Sequence, residues 1–153
     1  MAYDVQVTTT EPQPYIGITV TTTVQKIGEE LGQIYGEIMA HIGGHGIEPI
    51  APPFALYHRM EDDGTVEMTA GVAVDGEIPT TGRIHEGELP GGEVATTTHT
   101  GPYENLYDAV MAIDAWMNEN GRTARSGHWE HYVDDPGETA PDRLRTVLYW
   151  PIA

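Results

Sequence analysis

Apolar residues recur at helical spacing in two separate stretches of the chain. In both stretches the spacing is four, three and four positions, which predicts a helix with one apolar face. The residues are, in the first and then the second stretch, Ile27, Leu31, Ile34, Ile38 and Leu106, Val110, Ile113, Met117. Glycines at Gly43-Gly44 end the first helix, and Gly101-Pro102 opens the second. Each residue of the first set lies 79 positions before its counterpart, so the two helices align in register.

Segments rich in Val, Ile, Thr and aromatic residues surround both helices and predict strands. The predicted strands cover residues 3–9, 14–21, 53–60, 66–74, 93–100, 128–134 and 145–152. The strands 53–60 and 66–74 form a hairpin with Asp63-Gly64 in its turn. Residues 3–9 either continue into the next strand or bend away from it at the prolines that follow.

The order of these elements predicts an α+β fold in which a β-α-β-β unit occurs twice. We expect one domain over residues 1–153, with repeats at about 1–75 and 92–153 joined by a Gly/Pro-rich linker. Each repeat would have an antiparallel sheet with one long helix on one face. Two such pseudo-symmetric halves would leave a ligand groove between them.

Aligning the repeats exposes one divergent position. At an offset of 75 residues, Tyr57 falls opposite Tyr132 and Ala55 falls opposite Glu130. Side chains alternate along a strand, so Glu130 shares its face with His128 and Tyr132. The first repeat therefore has no counterpart of the Glu130 carboxylate.

The net charge of the chain argues against two classes of binding partner. The chain has 24 acidic residues against 7 Lys and Arg, a formal net charge of −17, and its single lysine is Lys26. Such a surface repels phosphate, so we expect neither nucleic acid nor a membrane as a partner. An acidic surface with almost no lysine is typical of proteins from halophiles. Since no segment reads as a signal peptide or a membrane span, we expect a cytoplasmic protein.

The sequence predicts no metal site and no cofactor. There is no cysteine, and no glycine-rich loop with a lysine that would hold phosphate. His41 and His45 are four positions apart, but Gly43-Gly44 is expected to break the helix that would align them. No third ligand follows at a suitable spacing.

A series of motifs resembles a known family. They are ELPGGEVA at 88–95, HTGPY at 99–103, WEHY at 129–132 and DDP at 134–136, with PPFALYH earlier at 52–58. In this order, over about residues 14–152, they resemble the GyrI-like small-molecule-binding domain, which is also the effector-binding domain of multidrug-sensing transcription regulators. The resemblance implies the duplicated fold with its groove. Only about 13 residues precede the first matched strand, so we expect a stand-alone member with no helix-turn-helix segment.

The resemblance also implies the site residues. It places the family's acidic ligand-binding residue at Glu130, facing the groove. The aromatic residues it implies are Tyr57, Tyr132 and Tyr149, with Tyr103 and Trp116 as further candidates. Trp150 would face away if the last strand is regular. The alternatives are an exposed strand glutamate, tyrosines that pack the sheets, and a Trp116 that belongs to the core stripe of its helix.

Three functions remain open. We expect a protein that captures hydrophobic, aromatic and often cationic compounds, whose charge the glutamate neutralises while rings provide cation–π attraction. The alternative is a hydrolase of strained-ring toxic molecules, with Glu130 as general base and His128 as its assistant. A third function is inhibition or regulation through a protein partner such as DNA gyrase. Binding is favoured because no convincing partner acid accompanies Glu130, and the sequence does not set the oligomeric state.

Overall fold

The computed structural model describes residues 3–75, 78–125 and 127–153. In chain order its main elements are β1 (Gln6–Thr10), β2 (Gln13–Thr23), α1 (Ile27–Gly44), β3 (Phe54–Met60), β4 (Thr65–Ala73), β5 (His85–Leu89), β6 (Gly92–Thr100), α2 (Leu106–Glu119), β7 (His128–Tyr132) and β8 (Arg145–Pro151). They form two compact units. The first unit is Pro12–Leu89, and the second combines residues up to Glu11 with Pro90–Ala153.

The first unit is an antiparallel sheet in the order β3-β4-β2-β5, with α1 on one face. The helix buries Ile34, Ile38 and Ile42 against strand residues that include Ile18 and Ala70, each at most 1% exposed. Ile34 and Ile38 belong to the apolar stripe that predicts the helix, and Ile42 continues it. Burial of this stripe in a well-packed core is what holds the helix on the sheet.

The second unit repeats this arrangement with the sheet order β1-β6-β8-β7 and α2 on one face. Ala109, Ile113 and Met117 of α2 are buried against Ala95 and Leu148 of the sheet. A single turn of 3-10 helix precedes each long helix. The predicted α+β fold of two β-α-β-β halves is therefore confirmed. Separately, no described helix is long and apolar enough to cross a membrane.

Two strands complete the predicted pattern in ways that the sequence left open or missed. Of the two alternatives for residues 3–9, the bend at the prolines is the one observed, because β1 pairs with β6 of the second unit. The chain passes from the second unit to the first at the proline-rich break after Glu11. The predicted linker contains β5, whose sequence His-Glu-Gly-Glu-Leu lacks the β-branched residues that mark strands. Residues 76–77 of that linker lie outside the described residues.

β5 is held by a close approach between a glycine and a tyrosine. Gly87 pairs with Tyr15 of β2, and a Cβ atom at Gly87 would collide with the Tyr15 ring. The tyrosine in turn packs edge-on against Phe54, with ring centroids 4.8 Å apart. A glycine is required here for the aromatic ring to cover the strand.

Candidate functional site

Glu130 lies in the middle of β7 and is buried. It pairs directly with Leu148 of β8, which belongs to the core beneath α2. Residues paired across antiparallel strands share a face of the sheet, so Glu130 points to the face that α2 covers. Only 3% of Glu130 is exposed, which rules out the alternative of an exposed strand glutamate.

Tyr132 and Tyr103 lie close to this carboxylate. The Tyr132 hydroxyl donates a hydrogen bond to Glu130 Oε1 at 2.6 Å, in the range of strong bonds to ionised acceptors. The Tyr103 ring meets the Tyr132 ring edge-on, with centroids 5.7 Å apart. The pKa of Tyr103 is raised, first by burial and then by the negative charges of Asp134, Asp135 and Glu130. The structure thus brings together three of the six ligand-binding residues that the sequence suggests, namely Glu130, Tyr132 and Tyr103.

The nearby carboxylate of Asp134 is paired with Arg145. Arg145 donates from Nε and Nη2 to the two carboxylate oxygens of Asp134, each at 2.9 Å. The hydrogen bonds and charge of Arg145 lower the pKa of Asp134. A carboxylate held in this bidentate pair is ill suited to exchange protons with a substrate.

His128 and Trp150 form a second aromatic group on the same face. Their rings are stacked, with centroids 4.6 Å apart and planes inclined by 28°. Burial lowers the pKa of His128 to about 4, so its imidazole is neutral at pH 7. A half-buried neutral histidine against an indole provides a flat aromatic surface two residues from Glu130.

The faces of Tyr149 and Trp150 are the reverse of those expected from the sequence. Tyr149 pairs with Trp129, and their rings stack with centroids 5.3 Å apart. Both residues therefore lie on the face opposite Glu130, and burial raises the pKa of Tyr149. The expectation that Tyr149 shares the face of Glu130 and that Trp150 turns away from it was wrong, while the ligand-binding role of Tyr149 stays a prediction. The reason is that alternation fixes faces only relative to neighbours, and the register of β8 against β7 could not be read from the chain.

Two further aromatic residues have defined surroundings. Trp116 is half-buried on α2 and packs against the second unit's core, as the core interpretation expects. Tyr57 is 9% exposed in the first unit and pairs with Met68, on the face that α1 covers. The ligand-binding roles of both residues stay predictions.

Sequence reasoning missed Thr146 and the indole nitrogen of Trp150. The Thr146 hydroxyl and Trp150 Nε1 are buried and have no hydrogen-bond partner among the described residues. Thr146 is fully buried and pairs with Tyr132, next to Glu130. Threonine is common in strands, so nothing in the sequence distinguishes this one.

The histidine pair at the end of α1 does come together. Although α1 ends at Gly44, the rings of His41 and His45 lie 4.8 Å apart, so the expectation that the glycines separate them was wrong. His41 Nε2 donates to the carbonyl of Pro79. In the ranges that the structure describes, no group of three or more potential ligand side chains could hold a metal.

Comparisons with known proteins agree with this fold. The model of a GyrI-like small molecule binding domain matches residues 3–153. No curated protein matches the sequence significantly.

Three solved structures illustrate the range of relatives. An EcmrR–DNA complex has a TM-score of 0.87 at 19% identity, covering 99% of this chain and 58% of that chain. SAV2435 bound to tetraphenylphosphonium has a TM-score of 0.73 at 17% identity, covering 100% of this chain and 94% of that one. A hydrolase from Listeria innocua has a TM-score of 0.70 at 13% identity, covering 99% and 93%. At these identities the likeness is one of fold, and this chain spans little more than half the length of the EcmrR chain.

Proposed function

Because this chain belongs to the GyrI-like family of small-molecule-binding domains, we propose that it captures hydrophobic, aromatic cations through Glu130. The observation that carries the proposal is a carboxylate only 3% exposed among aromatic side chains. Removing a charged carboxylate from water is costly unless an opposite charge or hydrogen bonds compensate. A cationic ligand provides that opposite charge.

The surrounding rings suit the same kind of ligand. Tyr103, Tyr132 and the stacked pair of His128 with Trp150 supply aromatic faces and edges in the second unit. Aromatic faces attract cations, by about 0.5–2 kcal/mol per contact depending on desolvation. The Tyr132 hydroxyl fixes one carboxylate oxygen, which positions the negative charge before a ligand arrives. Tetraphenylphosphonium, the compound bound to SAV2435, is a cation of this class.

Hydrolysis of strained-ring compounds is the second candidate. It is supported by the hydrolase among the relatives and by His128, which shares the face of Glu130. A general base works best with a pKa near the working pH. At a pKa of about 4, His128 is a weak base, and Asp134 is engaged by Arg145. We therefore rank binding first and expect any hydrolysis to depend on Glu130 alone.

The test is a calorimetric titration of the wild type and of Glu130→Gln with tetraphenylphosphonium. We expect the affinity to fall by about tenfold or more in this variant, equivalent to about 1.4 kcal/mol. Glu119→Gln is the matched control, since it removes the same formal charge from an exposed position at the end of α2. That variant should bind like the wild type.

Equal cation affinity in Glu130→Gln and the wild type would refute the electrostatic role. A parallel assay with styrene oxide tests the second candidate. Turnover of the epoxide that disappears in Glu130→Gln, with cation affinity retained, would make the protein a hydrolase. We also propose that the protein acts in the cytoplasm and that its acidic surface is an adaptation to high salt.

A further inference from the structure

We propose, on the basis of the function above, that the Thr146 hydroxyl and the Trp150 indole N–H are two alternative hydrogen-bonding positions for the ligand. The ligand would then be an aromatic cation that also carries a hydrogen-bond acceptor, such as a carbonyl oxygen. The proposal starts from the two buried polar atoms that have no partner among the described residues. Buried polar groups are nearly always hydrogen-bonded, and leaving one unsatisfied costs about 1–3 kcal/mol.

The Thr146 hydroxyl and the Trp150 indole N–H both belong to residues that are neighbours of Glu130 in the sheet. The carboxylate residue pairs with Leu148, and Thr146 and Trp150 lie two positions to either side of that leucine on the same face. Diagonal neighbours of this kind are separated by about 7–8 Å between backbones, within reach of one aromatic ligand. A ligand whose cation contacts Glu130 can therefore meet either group.

A threonine on the neighbouring strand β6 shows that a buried hydroxyl on this face can be hydrogen-bonded. Thr97 pairs with Leu148 from the other side, shares the same face and is only 4% exposed. Its hydroxyl donates to the carbonyl of Asp4 at 2.9 Å. A buried threonine on this face can thus find a backbone partner, whereas Thr146 does not.

The first unit shows that the fold does not require these polar groups. Met68 pairs with Tyr57 as Thr146 pairs with Tyr132, so Met68 occupies the equivalent position. Both Met68 and Val72, which corresponds to Trp150, are apolar and at most 1% exposed. The second unit therefore places polar groups where the same architecture is stable without them.

The chemistry of the two groups defines the ligand. An indole N–H can only donate, whereas a hydroxyl can donate or accept. A single acceptor atom on the ligand satisfies either group, while a plain hydrocarbon cation satisfies neither. Tyr132 is the direct neighbour of Thr146 and is bonded to Glu130. A cation bound at the carboxylate would therefore lie beside Thr146.

Three phosphonium cations test the proposal. Tetraphenylphosphonium reports cation binding alone, while its 4-acetyl and 4-isopropyl derivatives have nearly the same shape and differ in a carbonyl oxygen. By equilibrium dialysis, we expect the wild type to bind the acetyl compound about tenfold more tightly than the isopropyl compound. Thr146→Val or Trp150→Phe should reduce this ratio towards one. Thr146→Ser, which keeps the hydroxyl, and Thr97→Val, which removes a satisfied one, should preserve it.

The proposal is overturned if the wild type shows no preference for the acetyl compound, or if both Thr146→Val and Trp150→Phe keep the preference. Loss of the preference in either variant supports it, so one variant that fails to fold leaves the other as the test. If the proposed capture of cations through Glu130 is itself wrong, the result is different. In that case the wild type binds none of the three cations, or Glu130→Gln binds all three as well as the wild type does.

Discussion

Replacing threonine with valine keeps the shape of the side chain and removes its hydroxyl. The second unit has two buried threonines, Thr97 and Thr146, at which this substitution can be compared. Thr97 donates to a backbone carbonyl, whereas the Thr146 hydroxyl has no partner among the described residues. The same substitution should therefore change the free energy of unfolding in opposite directions at the two positions. Since both lie on one face of one sheet, differences in strand propensity or burial contribute little.

The size of the effect follows from the hydrogen bonds. Thr97→Val removes a bond of 2.9 Å and should destabilise the protein by about 1 kcal/mol. Thr146→Val removes a buried hydroxyl that gains nothing from the fold, so its desolvation cost of about 1–3 kcal/mol is relieved. The variants should differ by about 2 kcal/mol or more. For a chain of this length that separates their melting temperatures by about 4–8 °C.

Urea unfolding followed by circular dichroism measures this difference, with the slope of the transition checked for each variant. Both residues belong to the second unit, so one transition reports on both even if the two units unfold separately. If Thr146→Val is destabilised as much as Thr97→Val, the Thr146 hydroxyl has a stabilising partner. The Thr146 hydroxyl would then not be available to a ligand.

Two further predictions concern pH and salt. The pKa of His128 is lowered to about 4, so the unfolded chain binds more protons between about pH 6.5 and pH 4, and stability falls as the pH drops through this window. His128→Phe should remove up to about 3 kcal/mol of this pH dependence in urea unfolding. An unchanged dependence of the unfolding free energy on pH would contradict a neutral His128. The net charge of −17 predicts that added KCl stabilises the fold by screening repulsion between carboxylates. A melting temperature that stays constant or falls from about 0.1 to 2 M KCl would count against adaptation to salt.

Helical periodicity and the repeated element order were enough to predict both helices and most strands. Ile34 and Ile113, at equivalent positions of the two stripes, are both fully buried. β5 could not be found in the same way, because its identity as a strand depends on Tyr15 packing over Gly87 rather than on its own composition. Local pattern predicts elements that bury one apolar face, and it misses those held by a neighbour.

The same distinction explains why Glu130 was found and Thr146 was not. Tyr57 and Tyr132 are 75 positions apart, and this offset revealed Ala55 opposite Glu130 within a single strand. Their partners Met68 and Thr146 are 78 positions apart, because the connection between β7 and β8 is longer than the β3–β4 turn. One offset cannot align both strands, so the replacement of a methionine by a threonine was invisible until the pairing was known. The site diverges from the repeat on two adjacent strands, and only the sheet register brings the two changes onto one surface.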